Sequence, residues 1–358
     1  MLKPRKPVCE MPEYHSPLCD PVLDLRLDMN ESTVGCSPRV LEKLRTLDAK
    51  TLALYPSREQ GESIVANFLG LNPSEVLLTN GADEAIDLLC RAYLDPEDEI
   101  ILVTPAFTMY EVFASATGAR IVPVAAEEDL AFPTARVVQA VTPRTRIIVI
   151  TNPNNPTGLA AERTDILKVI ESAPNTAVLL DEAYFDFCGK TLLDKLGKLP
   201  NLFIVRTFSK AYGLAGLRVG VLAGPEGQLS ILRRLCPPFN LNVFALECLR
   251  EALDDRQFIQ DYVKQTIASR EWLRSQLESL GLKCWPSETN FLLVQFGPLK
   301  KIVLQGMNKH GIALRDRPDC EGCIRISIGT KAEMERLVST LQGILYQPQV
   351  SSAQGRGK

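Results

Sequence analysis

Thr207, Ser209, Lys210 and Arg218 lie in one short stretch, Arg206-Thr-Phe-Ser-Lys-Ala-Tyr-Gly-Leu-Ala-Gly-Leu-Arg218, directly after the apolar run Asn201-Leu-Phe-Ile-Val205. Hydroxyl and guanidinium donors together can hold a phosphate. A lysine amine held against an aldehyde, in surroundings that lower its pKa, can capture that aldehyde covalently. The stretch therefore has the chemistry to bind a ligand that carries both groups. A polar turn between a buried strand and a second apolar run accounts for the same letters equally well, so the choice rests on the rest of the chain.

Two further apolar runs end in polar groups of a complementary kind. The run Arg146–Thr151 leads into Asn152-Pro-Asn-Asn-Pro-Thr-Gly158, and the run Thr176–Asp181 leads into Asp181-Glu-Ala-Tyr184. A carboxylate opposite a pyridine nitrogen keeps that nitrogen protonated, while an amide and a phenol can hydrogen-bond a 3-oxygen on the same ring. Taken singly, Asp181 is as readily a turn residue or helix cap, Asn155 part of an Asn-Pro turn, and Tyr184 a half-buried aromatic. Their joint occurrence with Lys210 favours pyridoxal phosphate, which carries the aldehyde, the phosphate and the pyridine. Asn80-Gly-Ala-Asp83 opens a helical pattern, and the free N–H groups at Gly81, Ala82 and Asp83 favour a phosphate. Asn80 is equally suited to capping that helix and nothing more. Phe107, after Thr104-Pro-Ala, can lay its ring on a cofactor or simply pack in the core.

The elements that must position these groups follow from periodicity. Seven short aliphatic or β-branched runs, Glu75–Thr79, Glu99–Val103, Arg120–Val124, Arg146–Thr151, Thr176–Asp181, Asn201–Arg206 and Arg218–Ala223, alternate with helical patterns such as Ala82–Tyr93 and Arg163–Ser172. That rhythm predicts an α/β fold with a mostly parallel seven-stranded sheet covered by helices. Ligands of such sheets bind outside the carboxyl ends of the strands, where the groups above lie. After Pro237-Pro238, a long amphipathic pattern from Val243 to Leu280 carries an irregularity between Leu253 and Arg256. Strand-like Leu25–Met29, Phe291–Phe296, Ile312–Arg315 and Cys323–Ser327, with helices at Pro38–Leu47, Leu299–Lys309 and Lys331–Leu345, predict a small α+β domain. The expected organisation is an N-terminal arm at 1–24, laid over the surface or a partner; small-domain residues at 25–50; a large cofactor-binding domain at 51–245; connecting helices and the small C-terminal domain at 246–346; and a disordered tail at 347–358.

Composition removes several function classes. Forty basic against 43 acidic residues give a net charge of -3 without any block of like charge, so a nucleic-acid or anionic-membrane partner has no electrostatic support. Small-molecule substrates are expected instead. Ten cysteines are scattered through a chain in which no apolar h-region follows the basic N-terminus, and no apolar run reaches membrane-span length. Reduced thiols and a cytoplasmic location are the expectation. No metal is expected: Cys320-x-x-Cys323 has no second pair or histidine beside it. His15 and His310 are the two histidines, both outside the sheet region, which argues against a Ser-His-Asp hydrolase. Gly189-Lys-Thr191 is no P-loop, because Tyr184 stands where the first glycine belongs, and Gly213, Gly216 and Gly220 lack dinucleotide-fingerprint spacing.

With those motifs in place, the chain from about residue 25 to 345 resembles the fold-type I pyridoxal-phosphate aminotransferases, and within them most closely the histidinol-phosphate aminotransferases. The resemblance rests on Tyr55-Pro56, Asn80-Gly-Ala-Asp-Glu84, Asn152 to Gly158, Asp181-Glu-Ala-Tyr184, Arg206 to Arg218 and Ile324-Arg-Ile-Ser-Ile-Gly-Thr330. It implies pyridoxal phosphate as a Schiff base on Lys210, with Asp181 at the pyridine nitrogen and Asn155 and Tyr184 at the 3-oxygen. Thr207, Ser209, Arg218 and the Gly81-Ala82-Asp83 backbone would hold the phosphate, and Phe107 would stack on the ring. Tyr55 would reach the phosphate of the neighbouring subunit in a homodimer. Arg325 and Arg315 would meet anionic ends of the substrate, with Asn30 also in the substrate pocket. The family usually reads Asn-Glu-Asn-Pro-x-Gly where this chain reads Asn30-Glu-Ser-Thr-Val-Gly35, and the Arg315 to Arg325 segment is short. Both departures fall on the substrate pocket. The implied reaction transfers the amino group of glutamate to imidazole-acetol phosphate in histidine biosynthesis. Alternatives within the fold are an aromatic or broad-range aminotransferase and a threonine-phosphate decarboxylase; from another class, a non-catalytic protein that only binds pyridoxal phosphate or a phosphate.

Overall fold

The strand-helix rhythm folds as the periodicity predicts. In a computed structural model that describes residues 2–13 and 24–346, twelve strands form two sheets. In chain order, β1 is Leu25–Leu27, β2 Val76–Thr79, β3 Glu99–Thr104, β4 Arg120–Ala125, β5 Thr145–Thr151, β6 Ala177–Asp181, β7 Leu202–Thr207, β8 Gly220–Ala223, β9 Lys283–Cys284, β10 Phe291–Gln295, β11 Ile312–Asp316 and β12 Cys323–Ser327. The seven-stranded sheet has the order β2-β8-β7-β6-β5-β3-β4. Strand β8 runs antiparallel to both neighbours, and the remaining pairs are parallel. The expected tail at 347–358 and residues 14–23 of the expected arm lie outside the described residues.

The central strands are buried on both faces, so they read as continuous apolar runs. Alternate side chains still separate into two cores. Ile147, Val149, Leu179, Phe203 and Val205 pack under the helices Gly81–Tyr93 and Met109–Thr117, and Ile148, Ile150, Val178, Leu180 and Ile204 pack under Arg163–Ser172 on the opposite face. The register has a direct consequence for chemistry. Thr151 is the pairing partner of Asp181, Asp181 of Val205, and Thr207 of Gly220. Polar residues that end separate runs therefore stand side by side along one edge of the sheet.

The smaller sheet, ordered β1-β11-β12-β10-β9, buries Leu27, Leu292, Val294, Ile324 and Ile326 against the helices Arg256–Ser279 and Lys331–Tyr346. Its first strand comes from the N-terminal side of the large sheet, so chain entry and exit meet there. The irregularity expected between Leu253 and Arg256 is a true break: one helix runs Val243–Asp254 and the next begins at Arg256. The strand expected from Arg218 starts instead at Gly220, because Arg218 takes a left-handed conformation at φ 54. A short helix, Lys6–Glu10, docks on the large sheet's layer, where Arg5 Nη2 donates to the Thr117 carbonyl at 3.1 Å. Among the described residues, no helix is long and apolar enough to cross a membrane.

Candidate active site

Lys210 sits just past β7, with Thr207 and Ser209 buried beside it. Ser209 N–H and the Thr207 hydroxyl form a tight turn: the N–H donates to Thr207 Oγ1 at 3.2 Å, and that hydroxyl donates to Ser209 Oγ at 2.9 Å. Lys210 Nζ donates to the Met29 carbonyl of the small-sheet side at 3.0 Å. Burial, then the charge of Arg325, pulls its amine down to about 8, against the pull of Glu31 and Asp83 in the other direction. A neutral amine is thus within reach near physiological pH, which capture of an aldehyde requires.

One end of the cavity is shaped by backbone. Gly81 opens the helix Gly81–Tyr93 at φ 77, and a Cβ there would stand 2.5 Å from Arg218 Nη2. A Cβ at Gly220 would stand 2.7 Å from the carbonyl carbon of Gly81 and 2.8 Å from Ala82 N. Two glycines thereby bring β8, the helix N-terminus and the Arg218 guanidinium to close approach, with the N-terminal N–H groups aimed at the same place. Arg218 Nη2 donates to Asp83 Oδ2 at 3.1 Å, which sets its direction. Asn80 makes no side-chain cap here; its N–H donates to Glu84 Oε2 at 2.6 Å.

Asp181 and Glu182 point to opposite sides of the sheet edge, as neighbours at a strand end do. Glu182 takes Arg206 Nη2 at 2.7 Å and Thr191 Oγ1 at 2.9 Å. Asp181 faces the cavity, its Oδ1 accepting Ala183 N–H at 2.9 Å and its Oδ2 accepting the Tyr110 hydroxyl. Burial pushes its carboxyl up to about 6, opposed by those hydrogen bonds. Tyr184, buried at the start of the helix Phe185–Cys188, packs edge-on to Phe291 with centroids 5.2 Å apart. Its hydroxyl accepts Asn30 Nδ2 at 2.8 Å.

The small sheet supplies the opposite wall and ties itself to the large one. Arg325 on β12 is buried; its Nη1 donates to Asn155 Oδ1 at 2.6 Å and its Nη2 to the Asp28 carbonyl. Because Asn155 Oδ1 is taken up as acceptor, its Nδ2 is left to donate toward the cavity. Burial lowers the Arg325 pKa to about 10, so it remains a cation at neutral pH. Arg315 is its pairing partner on β11 and also lines the cavity. Asn30, a buried non-glycine at φ 54, spends its side chain on Tyr184 and on Ser327 Oγ, which donates to its Oδ1 at 2.9 Å.

Lys210, Asp181, Tyr184, Asn155, Phe107, Thr207, Ser209, Arg218, Ala82, Asp83, Asn30, Arg315 and Arg325 accordingly surround a single cavity of about 360 Å³. Gly81, directly before Ala82, does not itself line it, and neither does Tyr55. Tyr55 is 79% exposed, stacks on Phe239 at 4.2 Å and borders a different cleft, a position that its own Lys210 cavity cannot use. Three residues were not anticipated. Arg317, just past β11, lines the cavity and donates through Nη2 to the Ala106 carbonyl at 3.1 Å and through Nε to Asp319 Oδ1 at 2.9 Å. Strand alternation two residues on from Arg315 was the signal for it. Tyr110 and Thr151 meet Asp181 from a neighbouring helix and strand, and no local pattern marks them.

These donors fit pyridoxal phosphate group by group. Hydroxyls, a guanidinium and helix N–H groups suited to an anion lie beside an amine that loses its proton easily, and a buried carboxylate faces the same cavity. Gly81 and Gly220 let the helix N-terminus, β8 and the Arg218 guanidinium approach one another where a Cβ would force them apart.

Comparison with known proteins agrees with this geometry. Residues 24–341 match the family described as Aminotransferase class I and II. A histidinol-phosphate aminotransferase of Dehalococcoides mccartyi is 34% identical over 323 residues, covering 88% of this chain and 89% of that protein. One from Shouchella clausii is 35% identical over 342 residues, covering 91% of each. Among solved structures, histidinol-phosphate aminotransferase from Sinorhizobium meliloti in complex with pyridoxal-5'-phosphate superposes with a TM-score of 0.84 at 24% identity, covering 90% of this chain and 91% of that one.

Proposed function

The chain belongs to the class I and II aminotransferases, and on that premise we propose that it is a pyridoxal-phosphate enzyme that transfers the amino group of glutamate to imidazole-acetol phosphate, giving histidinol phosphate and 2-oxoglutarate. The observation that carries the reading is the convergence of Lys210, Asp181, Asn155 and Tyr184 in one cavity with a preformed anion pocket. The substrate follows the relatives named above, and the three arginines 315, 317 and 325 facing the cavity suit a substrate with an anionic end.

Bound there, pyridoxal phosphate supplies a carbonyl that captures amines and a protonated ring that accepts the electrons left at the substrate's Cα. The chain's own residues do the rest. Thr207, Ser209, Arg218 and the N–H groups from Gly81 to Asp83 hold the phosphate. Phe107 covers one face of the ring. Asp181 presents a carboxylate at the ring nitrogen, while Asn155 Nδ2 and the Tyr184 hydroxyl donate to the 3-oxygen. Lys210 Nζ is the amine of the cavity that takes up and returns the proton at Cα, a role for which a pKa near 8 is suited. Arg325 and Arg315 meet the substrate's anionic groups.

The enzyme in this reading is a cytoplasmic homodimer. Tyr55 and Phe239, together with the exposed Leu52, Leu54 and Phe244, form the face that a second copy covers, and Tyr55 reaches the partner's phosphate pocket from it.

The test is spectral. Protein reconstituted with pyridoxal phosphate is expected to show a visible absorption band that borohydride bleaches and that Lys210→Ala abolishes; absence of the band sinks the enzyme reading and leaves a binding protein. Single half-reactions then sort substrates. Histidinol phosphate and glutamate are expected to convert the band. Conversion by phenylalanine with no response to histidinol phosphate makes the protein an aromatic aminotransferase, and release of carbon dioxide from phosphothreonine makes it a decarboxylase.

A further inference from the structure

The Asp181 carboxylate is gripped by a residue to which no role has yet been given. Tyr110 lies in the first turn of the helix Met109–Thr117 and is 0% exposed. Its hydroxyl donates to Asp181 Oδ2 and stands 3.0 Å from Thr151 Oγ1. A phenol has a single proton. With that proton committed to Asp181, Thr151 is the donor to the phenol oxygen, and the relay runs from Thr151 through Tyr110 to Asp181. The same tyrosine braces Phe107 edge-on, with centroids 5.7 Å apart and rings at 89°.

We propose that Tyr110 is a positioning residue for the reaction proposed above, holding the Asp181 carboxylate in the orientation and the ionised form that a protonated ring nitrogen needs, with Thr151 fixing the direction of the phenol. The proposal rests on the aminotransferase reading. Its physical basis is that Asp181 stands in surroundings hostile to its charge. Burial is the largest influence, and the charged neighbours, Asp83 on the helix Gly81–Tyr93 and Glu182 beside it, both favour the neutral acid. Against these stand the Tyr110 hydroxyl and the Ala183 N–H. The other titratable group facing Tyr110 is the Tyr184 phenol. Tyr110 itself does not titrate in the working range, since burial and the Asp181 charge raise it well above its ordinary value. It therefore remains a donor through neutral pH. Without it, the carboxyl group shifts toward the neutral form and is free to rotate about the one bond left at Oδ1.

Tyr110→Phe keeps the ring against Phe107 and removes only the hydroxyl. The measurement is the affinity of cofactor-free protein for two ligands: pyridoxal phosphate, and the analogue in which carbon replaces the ring nitrogen. The variant is expected to lose about ten-fold in affinity for pyridoxal phosphate, the equivalent of one pKa unit at Asp181, while its affinity for the carbon analogue is unchanged. In an Asp181→Asn background the same substitution is expected to add nothing. Equal losses for both ligands would show a packing role and overturn the proposal, as would no loss for either. Thr151→Val, which retains volume, is expected to move the ratio of affinities in the same direction by less, and Thr151→Ser to restore it; this pair decides the matter if Tyr110→Phe does not fold. Wild-type protein that takes up neither ligand overturns the aminotransferase reading itself, an outcome distinct from wild-type uptake with an unaltered ratio in the variants.

Discussion

Asp181→Asn should make the cofactor-free protein more tolerant of high pH than the wild type, and the size of the effect can be worked from the site. Burial raises the Asp181 pKa from 3.8 to about 6. A carboxyl whose folded value lies above its unfolded value stabilises the fold most when it is protonated in both states, below pH 3.8. That contribution is lost as pH rises through the folded value, because the unfolded chain ionises first. The full loss is ~3 kcal/mol, and the part that falls between pH 5 and pH 8 is ~1.4 kcal/mol. Asparagine carries no charge and loses nothing over that range.

The substitution also changes hydrogen bonding. Asparagine has one oxygen where aspartate has two, so either the Tyr110 hydroxyl or the Ala183 N–H loses its acceptor. An unsatisfied buried donor costs ~1–3 kcal/mol, enough to hide the electrostatic gain at any single pH. That cost does not depend on pH, so it cancels from the change in stability difference between two pH values. Urea unfolding of both cofactor-free proteins, at one protein concentration and at pH 5 and pH 8, should show the variant gaining on the wild type by ~1–2 kcal/mol. A difference that stays flat between the two pH values would refute the account of Asp181 as a buried, reluctantly charged group. With pyridoxal phosphate present the order should reverse, since the variant cannot pair with a protonated ring.

Arg325→Gln removes the cation that, after burial, does most to hold the Lys210 amine down at about 8, with Arg218 left acting in the same direction and Glu31 and Asp83 opposing it. The rate at which cofactor-free protein captures pyridoxal phosphate needs the neutral amine, so it should rise through about pH 8 in the wild type and at higher pH in the variant; a midpoint that stays or falls contradicts the assignment. Gly220→Ala sets a Cβ 2.7 Å from the Gly81 carbonyl carbon and 2.8 Å from Ala82 N, both backbone. Strand β8 and the helix N-terminus must then separate, which should cost ~1–3 kcal/mol of stability in urea unfolding and weaken cofactor affinity. An unchanged affinity would mean that those N–H groups do not hold the phosphate.

How far the sequence reached depends on how local each determinant is. The strands of the large sheet are short continuous apolar runs ending in a polar cluster, and both features are local, so Asp181, Asn155 and Lys210 were legible. What set their mutual distance was the register that pairs Thr151 with Asp181, and register is not local. Tyr110 escaped for that reason: its partner is remote in sequence and its own surroundings read as an ordinary helix start. Arg218 misled the placement of β8, because its arginine type gives no sign of a left-handed backbone. Asn30 lines the cavity as expected, but the engagement of its side chain by Tyr184 and Ser327 depends on the meeting of the two sheets, which is not local.

The hydrogen bonds across the two sheets bear on how substrate selectivity can be dissected. Lys210 is joined to the Met29 carbonyl, Tyr184 to Asn30, Asn155 to Arg325 and the Ala106 carbonyl to Arg317. Each of these pairs links a residue on the large-sheet side with one from the small-sheet side. A change at Arg325 therefore frees Asn155 to turn its amide, so that on the proposed reading loss of a substrate contact and loss of a donor to the 3-oxygen arrive together. The Arg315 side chain has no hydrogen-bond or ion-pair partner among the described residues, and its removal should act on substrate binding alone. Comparing Arg315→Gln with Arg325→Gln separates the two effects: the first should raise KM for the anionic substrate with the visible band unaltered, and the second should move both. If Arg315→Gln shifts the band as far as Arg325→Gln does, the coupling passes through the whole β11–β12 pair and not through the Asn155 hydrogen bond.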